Sequence, residues 1–112
     1  MITVHIFRLS DGSIRGFSVK GHANYAKAGE DIVCAGVSAV TVGTVNSIET
    51  LTGVELDAEM EHGFLSAYVP EGAKLSDDIR SQVQLLLESL VVMLKSIVDS
   101  YGKYIQIKQH NN

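Results

Sequence analysis

The 112 residues, 46% of them hydrophobic and only one a proline, suit a single compact domain (1–112) with a modest core. Nine basic against thirteen acidic residues leave a net charge of −4 with no basic cluster. That balance argues against direct nucleic-acid binding, where neutralisation of phosphates supplies most of the affinity.

Thr3–Leu9 and Ser13–Lys20 are rich in β-branched and aromatic residues and flank Asp11-Gly12, so a hairpin is expected, with Gly12 at positive φ. A loop follows, with glycine, asparagine and small or charged residues. From Cys34 to Thr52 the apolar positions Val37, Val40, Val45, Ile48 and Leu51 fall at helical spacing. The β-branched content opposes a helix, but the segment is too long for a strand. Gly36, Ala39 and Gly43 would let this helix approach a sheet closely. Val54, Leu56, Ala58 and Met60 then alternate with Glu55, Asp57, Glu59 and Glu61, the pattern of a strand with one wet face. Glu61-His62-Gly63 makes a turn, and Phe64–Val69 returns as a strand. Ser76, with Asp77 and Asp78, caps a second helix whose apolar residues recur from Ile79 to Tyr101, and Gly102 ends it. Lys103–Gln109 forms a last strand. The order is ββαββαβ, an α+β fold with an antiparallel-rich sheet and both helices on one face.

A single cysteine excludes an internal disulfide and points to a reducing cytoplasm. The N-terminus lacks the basic and small-residue features of a signal peptide. The apolar stretch Leu85–Leu94 is broken by Glu88 and Ser89 and too short to span a bilayer, so no membrane partner is expected.

Cys34 carries the chemistry. A lone cysteine beside an apolar helix is usually a small buried hydrophobe. Asp31, three residues upstream, changes that reading, because it can cap the helix and place Cys34 in the first turn. There the positive end of the helix dipole favours negative charge, and unpaired amides are available for an oxyanion. His22, after the turn-permitting Gly21, can return across the loop as the base of a thiol–imidazole pair. Capping explains Asp31 without asking it to orient His22. Ser38, one turn after Cys34, is expected to bond to local backbone or to support the sulfur. His5, His62 and His110 lie far apart in sequence without metal-ligand spacing, so no metal is expected. Leu85, Val91, Val92 and Met93 exceed the apolar stripe of the second helix, which suggests a homodimer contact or wider burial within the monomer.

The segments Gly21-His22-Ala23 and Gly29-Glu30-Asp31-Ile32-Val33-Cys34-Ala35-Gly36-Val37-Ser38 resemble the bacterial ribosomal-processing cysteine protease family, Prp. The resemblance covers essentially the whole chain; Gly36 stands where the family often has alanine. It implies His22 and Cys34 as the catalytic pair and Asp31 and Ser38 as associated positions; the loop between the pair, with Gly21 and Gly29, has by composition the character of a flexible one. The resemblance further implies removal of the N-terminal extension of a large-subunit ribosomal protein, a homodimer, and no cofactor. A non-enzymatic assembly factor would use the acidic surface to hold a basic ribosomal protein, and a thiol redox sensor would use a reactive Cys34 without His22 acting on peptide.

Overall fold

The computed structural model describes residues 1–27 and 30–111. It contains β1 (Ile2–Arg8), β2 (Ile14–Lys20), α1 (Ile32–Thr52), β3 (Asp57–Glu61), β4 (Phe64–Tyr68), α2 (Asp77–Tyr101) and β5 (Ile105–Asn111), the expected order. The strands form one five-stranded sheet, β3-β4-β2-β1-β5. Every neighbouring pair is antiparallel except β1 and β5, which run parallel after the α2 crossover. The β1–β2 turn is held by the Asp11 carboxylate, which accepts from the Ser13 amide at 2.9 Å, with Gly12 at φ +89°.

Alternation along β1 sends Ile2, Val4 and Ile6 into the core and Thr3, His5 and Phe7 to the opposite face. Fully buried Phe17 sits opposite Ile6 on one side and Ala67 on the other. Both helices cover this inner face, α2 with Val83, Leu87, Leu90 and Leu94. By length and composition alone either helix could cross a bilayer; here each lays a buried stripe into the shared core.

The α1 stripe differs from the expected one. Its buried residues are Val33, Val37, Thr41, Thr44 and Ile48, while Leu51 is exposed. The threonines are admitted because their hydroxyls donate to the carbonyls of Val37 and Val40, at 2.7 and 2.6 Å, which leaves their methyl groups for packing. Gly36, Ala39 and Gly43 do not meet the sheet. Gly36 lies beside Ile97 of α2, and Ala39 and Gly43 line a groove with Leu86 and Met93 of α2.

The strand at 54–61 is also corrected. Val54 and Leu56 are buried but precede β3, whose five residues are all exposed. β3 is an edge strand, and the helix layer does not reach over it, so Met60 on the inner side stays 67% exposed. α2 ends as expected at Gly102, which keeps a right-handed conformation at φ −58°.

One ion pair ties α2 to the sheet. Arg8 donates to both Glu88 oxygens, at 2.9 and 2.8 Å, and to the Gln109 side chain of β5. Hydrogen bonding to Arg8 holds the Glu88 carboxyl below its ordinary range, against an opposing effect of partial burial. The Glu88 side chain is 47% exposed, so solvent screening limits the pair to about 1 kcal/mol. A carboxyl depressed in the folded state stabilises above its unfolded pKa and loses that contribution as pH falls through the folded one. Wild type should therefore melt above Glu88→Gln at neutral pH, and the gap should close below about pH 4. A gap that stays constant to acid pH would contradict this assignment.

Candidate active site

β2 ends at Lys20, and the next residue must turn sharply. Gly21 does so at φ +99°, where a Cβ would stand 2.5 Å from the Met1 carbonyl oxygen, so only glycine fits. Its amide donates to the carbonyl of Gly63, at 2.9 Å, in the β3–β4 turn. This contact sets His22 beside that turn. Ala23 is buried, and its amide points at the Cys34 sulfur at 3.3 Å. Farther on, the Tyr25 ring meets Tyr101 and Tyr104 edge-on, at centroid distances of 5.8 and 5.1 Å. Gly29 lies outside the described residues.

Asp31 closes the loop onto the helix. As N-cap of α1 its Oδ1 accepts from the amides of Val33 and Cys34, both at 3.0 Å. Its Oδ2 accepts from the amides of Tyr25 at 3.0 Å and Ala26 at 3.5 Å. The Cys34 amide is the largest cause of a lowered Asp31 pKa; partial desolvation opposes it, and the loop amides reinforce it. Capping is therefore what the Asp31 carboxylate does, and α1 begins at Ile32, two residues before the expected start at Cys34.

Cys34 is thus a first-turn residue, half-buried, with its sulfur toward the loop. The expected oxyanion donors are a different matter. The Val33 and Cys34 amides are taken by the Asp31 side chain, and the Ala35 amide donates to the Asp31 carbonyl at 3.0 Å. The capping residue that exposes the thiol consumes those amides. Among the described residues, the donor left pointing at the sulfur is the Ala23 amide. Ser38 is exposed on the same helix face, and the local bond expected of its hydroxyl is not formed among the described residues.

Two cavities meet at this point. One, of about 240 Å³, has an apolar floor of Val19, Val37, Leu65 and Met60 between α1 and the inner sheet face. The other, of about 520 Å³, runs over Asn24, Ala26, Asp31 and Ala35. His22, Cys34, Ser38 and His62 line both. No hydrogen bond joins His22 to Cys34 among the described residues, so the imidazole must approach the sulfur before it can take a proton. Such contacts commonly tighten only when substrate is bound. The geometry brings a thiol and an imidazole to the same rim, with an apolar slot beside them. No group of metal-ligating side chains is assembled among the described residues.

His62 is the site residue that sequence reasoning passed over. Its ring lies 5.0 Å from that of His22, tilted by 42°. Local sequence held no signal for this, since the contact depends on the long-range bond from Gly21 to Gly63.

Residues 1–106 match the family model described as cysteine protease Prp. The chain is 38% identical to the ribosomal processing cysteine protease Prp of Bacillus subtilis, over 96% of each chain. To the Staphylococcus aureus protein of the same name it is 33% identical, over 96% of this chain and 97% of the other. It also superimposes on a crystal structure of an essential ribosomal processing protease Prp from S. aureus in complex with a covalently linked product peptide. That match has a TM-score of 0.87 and 32% identity, and covers 98% of this chain and 100% of the other. A second structure of that S. aureus protease, with a substrate peptide, gives a TM-score of 0.82 at 31% identity, over 98% of this chain and 100% of the other.

Proposed function

The chain belongs to the cysteine protease Prp family, and on that premise we propose that it removes the N-terminal extension of a large-subunit ribosomal protein, with Cys34 as nucleophile and His22 as base. The observation that carries this reading is the meeting of Cys34 and His22 on the rim of one apolar-floored groove. A Staphylococcus aureus relative holding a covalently linked product peptide supports a covalent intermediate.

The substrate lies along the groove as an extended peptide and drops an apolar side chain into the cavity above Val19, Val37 and Leu65. His22 takes the Cys34 proton, and the sulfur attacks the scissile carbonyl. The charge that grows on the carbonyl oxygen is met by the Ala23 amide, already aimed at the sulfur. His22 gives its proton to the departing amine, leaving a thioester on Cys34. Water, deprotonated by His22, then releases the peptide acid and restores the thiol. Asp57, Glu59 and Glu61, exposed along β3, give the groove's outer edge a charge that suits a basic ribosomal protein. The site of action would be the cytoplasm, where the single thiol stays reduced.

The test is a pair of peptides, one spanning the extension and its junction, one scrambled. Wild type should cut the first at one bond and spare the second, and Cys34→Ala should lower the rate on the order of 10⁴-fold or more. Cleavage surviving in Cys34→Ala would remove the nucleophile. Binding of the true peptide by wild type without cleavage would favour a non-enzymatic assembly factor.

A homodimer is the second part of the reading. Val91 of the surplus on α2 is buried within the monomer, whereas Leu85 and Val92 are 71% and 63% exposed, with Met93 beside them. Val92→Glu should shift sedimentation at tens of micromolar, roughly the range of a modest interface, from dimer to monomer. A wild type that sediments as a monomer there would end the proposal.

A further inference from the structure

The β3–β4 turn brings a second imidazole into the groove. Its ring centroid stands 5.0 Å from that of His22, and the two planes are tilted by 42°. Both rings line both cavities that Cys34 lines. The neighbouring residue completes the enclosure. Gly63 adopts φ +76°, and a Cβ there would stand 2.9 Å from His22 Nε2, so bare backbone lies flush against the ring. The Gly21 amide, bonded to the Gly63 carbonyl at 2.9 Å, keeps the two segments in register.

His22 is exposed and lies beyond the end of a strand, and the described residues between it and α1 form no regular structure. A histidine in that setting has three χ1 wells and a broad, two-fold χ2, about six orientations in all. Rotation about χ1 carries the ring over widely separated directions, and only those on the Cys34 side can present a nitrogen to the sulfur. We propose that His62 is a positioning residue for His22, its ring closing off orientations that swing the imidazole away from the sulfur. This deepens the reading of His22 and Cys34 as the catalytic pair and rests on it. Ring packing is the operative feature, because the two rings meet face to tilted face and no hydrogen bond joins them among the described residues. A phenylalanine at the same place offers a flat ring without a nitrogen.

The experiment compares kcat and KM for peptide cleavage in wild type, His62→Ala, His62→Phe and His22→Ala, with a melting temperature for each. The expected result is a kcat lowered about three- to sixfold in His62→Ala, with KM and melting temperature unchanged. His62→Phe should recover at least half of the wild-type kcat. A wild-type kcat in His62→Ala overturns the proposal. So does a His62→Phe as slow as His62→Ala, which would assign proton chemistry to the imidazole, or an effect confined to KM, which would assign a substrate contact. If His22→Ala is inactive while His62→Ala is unimpaired, only the positioning role fails. If His22→Ala keeps full activity, the catalytic pair fails, and the positioning role with it.

Discussion

The Asp31 carboxylate is the contact on which the site depends. One oxygen accepts from the amides of Val33 and Cys34 and the other from Tyr25 and Ala26. A residue that merely capped α1 would leave the preceding loop free. This one ties the loop to the same point from which the helix starts. With Ala23 tucked into the core and Tyr25 against Tyr101 and Tyr104, the path from His22 to the helix is fastened at several places. The thiol is delivered by a helix terminus and the imidazole by a strand terminus. Both are referred to one rigid sheet, which is how a short chain holds a thiol and an imidazole at one groove.

The groove exists because the helix layer is narrower than the sheet. α1 and α2 cover the inner face, but β3 lies beyond them and keeps Met60 exposed. An uncovered inner edge is a liability in most small proteins. Here it lies beside Cys34 and carries carboxylates on its solvent side, and it is open without any displacement of core residues. The pairing of β2 with β4 brings the turn after β3 to His22. The order of strands in the sheet therefore decides which side chains share the site.

Much of this was legible in the sequence, for local reasons. Asp11-Gly12 marked the hairpin, Ser76 the start of α2, and the three-residue step from Asp31 to Cys34 the head of α1. Each is a bond between near neighbours, which composition and spacing record directly. The missed features are long-range or compensated. Thr41 and Thr44 look polar in sequence but spend their hydroxyls on their own helix. The alternation of β3 suggested a buried face, but burial is decided by helix placement, which the strand itself does not encode. The Val33 and Cys34 amides seemed free for an oxyanion until the cap was seen to occupy them. His62 joined the site only through the Gly21–Gly63 contact.

The central claim is that one carboxylate couples loop and helix head. Amide hydrogen exchange in Asp31→Ala tests it most directly, since every bonded amide reports separately. The account predicts that the amides of Tyr25, Val33 and Cys34 all exchange at least about tenfold faster than in wild type, while those deep in α2 keep their protection. Faster exchange at Val33 and Cys34 with Tyr25 unchanged would mean that Asp31 only caps the helix, and the coupling of the loop to the thiol would be contradicted.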